Sequence, residues 1–235
     1  MEDAKKVPLL GSGGPDPIFY TAGTSLEHVK GCSALKVFDL APEAKPTTCE
    51  VLLDPGKTFE VSVEDVDGKP VKEAAVAGLD ADPNRAAVAV LPEAHCTVHA
   101  LDPKDGPRQV TFYHTGRKIA GTLPLKGDEK VPPVVTLLPL GAVTGRVFDP
   151  DGKPLAGTQV RLNYDSFAAQ TLVRRLGVGN EVKADKDGRF RIEGVIPGVQ
   201  FDLYVPDSPS LLAANRRVKG GEALELGEVK LKKAD

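Results

Sequence analysis

The chain repeats itself, and a repeat limits a fold more tightly than any single motif does. Residues 56–79 read GKTFEVSVEDVDGKPVKEAAVAGL, and residues 141–162 read GAVTGRVFDPDGKPLAGTQVRL. Each stretch has a glycine, an alternating strand, an acidic turn ending in Asp-Gly-Lys-Pro, and a second apolar strand. Gly68 and Gly152 stand 84 residues apart. The closing stretches agree too: Leu125-Lys126-Gly127-Asp128-Glu129 leads into VVTLLP, and Val218-Lys219-Gly220-Gly221-Glu222 leads into LGEVKLK. The expectation is two units of similar size, at 54–139 and 140–235. The remaining residues, 1–53, are too few for a third. Their last strand, CEVLLDPG, resembles VVTLLPLG at the end of the first unit, so they read as the closing strands of a preceding unit. A lone pair of strands is marginal in water. This segment is therefore expected to dock on the first full unit or to be poorly ordered.

The period inside each unit is that of strands. Val143, Gly145 and Val147 alternate with Thr144, Arg146 and Phe148, the spacing of two that puts successive side chains on opposite faces. Asp151-Gly152 and Asp187-Gly188 read as hairpin turns, and Pro197-Gly198 as a third turn, because glycine supplies the left-handed backbone a tight turn needs. Val160 with Leu162, Phe190 with Ile192 and Val195, and Phe201 with Leu203 and Val205 are the expected core residues of the strands between. Short strands with turn signals about every 8–12 residues indicate a sandwich or barrel. One segment departs from this: Asp165 or Ser166 can cap the helix FAAQTLVRRL, and Gly177 can end it. Phe167, Ala168, Leu172, Val173 and Leu176 then share a face, with Arg174 and Arg175 turned outward. Such a helix either covers an open end of the sandwich or docks against a neighbouring domain.

Composition excludes several classes. Lys plus Arg number 30 and Asp plus Glu 33, a net charge of −3, with no basic stripe for nucleic acid. At 41% hydrophobic residues the chain is not disordered by charge. No apolar run approaches the ~20 residues that span a bilayer. Gly and Pro together are 44 of 235 residues without a triplet period, which excludes collagen. The N-terminal MEDAKKVPLLGSGGPDP does not read as a signal peptide, since its apolar stretch is only VPLL. Among the three cysteines, Cys32 and Cys49 lie in the same N-terminal region and could pair in an oxidising compartment, the alternative being buried free thiols.

The second unit resembles the carboxypeptidase regulatory-like family, prealbumin-like seven-stranded β-sandwich modules close to the bacterial Cna B-type repeats. The resemblance rests on Gly145, Val147, Asp149, Gly152, Pro154, Leu155, Gly157, Val160, Gly188, Phe190, Ile192, Gly194, Pro197, Gly198 and Leu203, with Phe201 where the family usually has Tyr. The first unit keeps Asp67-Gly68-Lys69-Pro70 but has His95-Cys96-Thr97-Val98-His99 in place of the Asp-Gly-x-Phe strand, a divergent copy. The resemblance implies a non-enzymatic structural or interaction module of a larger bacterial protein, extracytoplasmic, with neighbouring domains of the parent and a glycan or protein ligand as partners. Related repeats form Lys–Asn crosslinks from a Lys in the first strand. Here that strand offers Val147 and Phe148, so the crosslink is not expected.

Chemistry-bearing patterns are few. There is no HExxH, none of the four His starts an HxxE, and no GxSxG elbow or phosphate-binding glycine loop occurs. Lys183-Ala-Asp185-Lys-Asp187-Gly188 fails the calcium-loop pattern, with Lys at position 1 and Gly at position 12. His95, His99 and His114, with Cys96 nearby, form the best metal or enzymatic constellation, but His95 and His99 stand ~13 Å apart along a strand. No catalytic, cofactor or metal residue is therefore assigned. A carbohydrate-binding module remains the alternative, and it requires at least two exposed rings among Tyr113, Tyr164, Tyr204, Phe112 and Phe148. The second alternative, a metal-dependent or His-based enzyme fragment, requires the histidines to converge.

Overall fold

The computed structural model describes residues 56–79, 87–206, 208 and 211–231. The expected N-terminal closing strands at 1–53, with Cys32 and Cys49, lie outside the described residues. Fourteen strands are described: β1 Lys57–Asp65, β2 Ala75–Ala77, β3 Val88–Val90, β4 His95–Leu101, β5 Arg108–His114, β6 Ile119–Leu125 and β7 Val134–Pro139, then β8 Gly141–Phe148, β9 Gln159–Tyr164, β10 Glu181–Lys183, β11 Arg189–Val195, β12 Phe201–Tyr204, β13 Leu211–Arg216 and β14 Ala223–Lys230. One helix, α1 Phe167–Leu176, lies between β9 and β10.

The first seven strands and the second seven share one topology. β1 lies between antiparallel β4 and parallel β7, as β8 lies between antiparallel β11 and parallel β14. Facing these are the antiparallel series β3-β2-β5-β6 and β10-β9-β12-β13. Within each set only the β2–β3 and β5–β6 type connections stay in one sheet, and the others cross between sheets. Over the described residues the chain is all-β, two seven-stranded prealbumin-like sandwiches in tandem with one short α-helix. In the first, Leu138 and Pro139 of β7 also pair with Ala120 and Ile119 of β6, joining the two sheets along one edge.

Alternation explains the cores. Val61 and Val63 of β1, Cys96 and Val98 of β4, Val110 and Phe112 of β5, and Val135 and Leu137 of β7 meet inside the first sandwich. Val160, Leu162, Phe190, Ile192, Val195, Phe201, Leu203 and Val205 are buried in the second, as the sequence pattern predicts. Gly145 has a specific reason. A Cβ there would lie 2.8 Å from the Phe190 ring, so the missing side chain is what lets that ring into the core. Phe148 departs from the strict alternation. It is buried on the side expected to face solvent, beneath the Arg146 guanidinium at 4.7 Å, a cation–π contact.

The acidic turns form as tight reversals with antiparallel backbone pairing across them: the Asp65 amide donates to the Lys69 carbonyl at 2.9 Å, Asp149 to Lys153 at 2.9 Å and Asp185 to Arg189 at 2.8 Å. Asp65, Asp149 and Asp185 each fold the chain back on their own side chain. Asp65 Oδ1 accepts from the Asp67 and Lys69 amides at 3.0 and 2.9 Å, Asp149 Oδ1 from the Lys153 amide at 2.8 Å, and Asp185 Oδ1 from the Asp187 and Arg189 amides at 2.9 Å each. Gly68, Gly152 and Gly188 each take a positive φ and donate to the carbonyl of the same Asp. Beyond this short pairing the flanking strands part into different sheets, so each Asp-Gly turn is also a crossover of the sandwich. The Asp side chain adds to the backbone pairing by accepting the amide at the far side of the turn.

Candidate functional site

Ala75 and Ala77 of β2 belong to a different cluster from Val76 between them. Val76 points into the first core, while the two alanines, with Tyr113 and Ala120, pack into the apolar cluster of the second sandwich. The outer face of the β2-β5-β6 sheet is therefore buried: Ala75, Tyr113, Ala77, Thr111 and Ala120 are all 4% exposed or less. Its cover is α1, which packs on β2, β3 and β5 of the first sandwich as well as on β9 of its own. The junction between the sandwiches is the most elaborated surface among the described residues.

Local chemistry builds the cover. Ser166 caps α1, its hydroxyl accepting from the Ala169 amide at 3.3 Å, and Gly177 ends it in the left-handed conformation with its amide on the Val173 carbonyl. Ala168, Ala169, Thr171, Leu172 and Val173 are buried and Arg174 and Arg175 are exposed. Phe167, expected on the apolar face, instead stands 56% exposed at the first helical position. Small residues set the approach: a Cβ on Gly78 would touch the Ala168 Cβ at 3.4 Å. A Cβ on Gly194 would lie 3.2 Å from the Tyr113 hydroxyl. Burial pushes the Tyr113 phenol above its ordinary pKa.

The connection is equally tight. Between β7 and β8 there is one residue, Leu140, whose amide donates to the Lys118 carbonyl at 3.0 Å. The Gly221 amide donates to the Pro139 carbonyl at 2.9 Å. Gly220 and Gly141 sit where a Cβ would collide with Leu138 at 2.8 Å and with Val218 at 2.6 Å. Beneath this, the Tyr164 hydroxyl accepts from the Ile196 amide at 2.9 Å, and its ring meets Phe201 edge-on at 6.3 Å. Burial raises the Tyr164 phenol strongly.

The residues singled out from sequence fall elsewhere. His95 and His99 lie on the exposed face of β4, and His114 ends β5 in the opposite sheet, its Nδ1 accepting from the Arg117 amide at 3.3 Å. The three are not brought together. Cys96 points the other way, into the first core, where burial pushes its thiol up to about 11. Among the described residues no three His, Cys, Asp or Glu side chains gather closely enough to hold a metal ion. Of the candidate stacking rings, Phe112, Tyr113, Phe148 and Tyr164 are buried and Tyr204 is half-buried. The Lys183–Gly188 loop is the Asp185 turn. Arg216 and the two helical arginines are exposed, while Arg217 reaches the Gly198 carbonyl at 3.2 Å.

One charged group was missed. Asp65 is nearly buried and bonded to Arg117, and this partner, then the Lys69 amide, holds its carboxyl below the usual range against the opposing effect of burial. Nothing in the sequence pairs residue 65 with residue 117. The inward positions of β1 and β8 carry Val61, Val63 and Asp65, and Val143 and Val147, with no lysine among them.

The architecture defines a class, a tandem pair of seven-stranded sandwiches joined through a helix-covered sheet face. No protein-family model matches the chain, and no curated protein matches it. Solved structures do. A streptococcal ancillary pilin matches at 14% identity over 84% of this chain and 70% of its own, with a TM-score of 0.34. The shaft pilin SpaA of Lactobacillus rhamnosus GG matches at 10% identity over 76% of this chain and 99% of its own, with a TM-score of 0.28. The major pilin subunit of Bacillus cereus matches at 14% identity over 76% of this chain and 55% of its own, with a TM-score of 0.30.

Proposed function

We propose that the chain is a non-enzymatic, semi-rigid spacer segment of a larger bacterial, extracytoplasmic protein, built from carboxypeptidase regulatory-like units at 54–139 and 140–235. Residues 1–53 are read as the closing strands of a preceding unit. The observation that carries the reading is the buried outer face of the first four-stranded sheet. A spacer holds its ends at a fixed separation, which requires neighbouring units to share a surface rather than hang on a flexible linker. The single-residue connection at Leu140 and the amide bonds from Leu140 and Gly221 support it further. The dispersed histidines and the mostly buried rings favour neither alternative. The partners in this reading are the adjoining domains of the parent chain.

The test is a distance distribution between spin labels on Lys104→Cys and Asp187→Cys, with Cys32 and Cys49 replaced by Ser and buried Cys96 left in place. A single narrow distribution is expected. A broad one, as from independently tumbling units, would remove the spacer reading.

A further inference from the structure

The two four-stranded sheets have outer faces that correspond residue by residue. On β2 and β5, Ala75 stands opposite Tyr113 and Ala77 opposite Thr111. On β9 and β12, Arg161 stands opposite Tyr204 and Asn163 opposite Asp202. The tyrosine is kept, while small residues at the other three positions give way to Arg, Asn and Asp. The first face is buried beneath α1. The second is open: Asn163 is exposed, Arg161 and Glu181 side chains are 40% and 44% exposed, and Tyr204 is half-buried.

Several of its polar groups bond one another within the face. Arg161 Nε donates to Glu181 at 2.6 Å, and Arg161 further interacts with Tyr204. Asp202 accepts from the Asn215 amide at 2.8 Å, and the Gln200 side chain donates to Asn215 Oδ1 at 2.8 Å. A helix laid here as α1 lies on β2 and β5 would have to strip water from these charges, and where the first face has Ala75, Ala77 and Thr111 it would meet Arg161, Asn163 and Asp202; Leu211, opposite Tyr204 on β13, is an exposed apolar side chain beside them. Polar outer faces of this kind terminate stacks of repeated units.

We infer that the outer face of β10-β9-β12-β13 is a closing face of the stack, which excludes a further sandwich from docking as the second docks on the first, and excludes a second copy of this chain from pairing through it. The inference rests on the stacked-pair reading. Domains joined further along the chain must meet this pair by other contacts. Arg161, Asn163, Glu181 and Asp202 hold the face open.

Sedimentation equilibrium of the full chain tests this. The wild type is expected to stay monomeric into the hundreds of micromolar. The variant Arg161→Ala/Asn163→Ala/Glu181→Val/Asp202→Thr, which copies the residues of the first sheet at these positions, is expected to rise toward twice the monomer mass over that range. A milder Arg161→Ala/Asn163→Ala variant, with Cys96 still unreactive as proof of folding, should do so to a lesser degree. A wild type that dimerises with Tyr204 protected from oxidative footprinting would overturn the inference, as would folded variants that stay monomeric. Neither outcome bears on the label distances, so failure here is distinct from failure of the spacer reading.

Discussion

Leu172 is fully buried on α1, one turn beyond Ala168, whose Cβ lies where a Cβ on Gly78 of the first sandwich would meet it at 3.4 Å. Residues four apart share a helical face, so Leu172 lies on the stripe that covers the first sheet. Truncation to Ala leaves a cavity that packed neighbours fill only in part, costing about 3 kcal/mol within a ~2–5 kcal/mol range. At ~2–4 °C per kcal/mol for a domain of this size, the melting temperature should drop by roughly 6–12 °C. The shared interface makes a stronger claim, that the loss reaches the first sandwich. Cys96 lies in that core, far from the mutation in sequence, with a thiol pushed up to about 11 and 6% exposed. With Cys32 and Cys49 replaced by Ser, its reaction with a disulfide reagent reports opening of the first sandwich alone. In Leu172→Ala, Cys96 should become reactive at the same lowered temperature at which the strand circular dichroism is lost. Retention of Cys96 protection at its wild-type temperature, while the second sandwich melts early, would refute the coupling.

Other substitutions test separate parts of the account. Ala100 takes a left-handed φ of 54° at the bulge where the second sandwich has Gly194. Left-handed backbone costs an L-residue about 1–2 kcal/mol, and Gly loses about 0.5–1 kcal/mol more freedom on folding, so Ala100→Gly should stabilise by about 0.5–1 kcal/mol in urea unfolding. Gly194→Ala should destabilise, since it adds both the strained φ of 77° and a contact with the Tyr113 hydroxyl. Ser166→Ala removes the helix cap and should cost about 1 kcal/mol by the same assay. Asp65 has a folded pKa below its unfolded one, so its stabilisation is present above the unfolded value of about 3.9 and lost as pH falls through the folded value. The melting-temperature gap between wild type and Asp65→Asn should accordingly be largest near neutrality and close toward pH 2; a gap independent of pH would contradict the Arg117 pairing.

The strands of the second unit were legible because burial on one face leaves a period of two in the sequence. Phe190, Ile192, Phe201 and Leu203 show it plainly. Ser166 and Gly177 bounded α1 because caps are local chemistry. What α1 covers was not legible, since its partner surface is made by β2, β3 and β5, all well upstream in the other sandwich. One signal was present. Ala74-Ala75-Val76-Ala77 is an apolar run without alternation, and such a run marks a strand buried on both faces. Asp65 with Arg117 was hidden for the same reason, because the pair depends on where distant segments meet.

The central claim is that the two sandwiches move as one body. Backbone ¹⁵N relaxation of the full chain measures this directly. Residues of β1–β7 and of β8–β14 should fit a single rotational diffusion tensor. Two tensors, each with the shorter correlation time of a lone sandwich, would contradict the account.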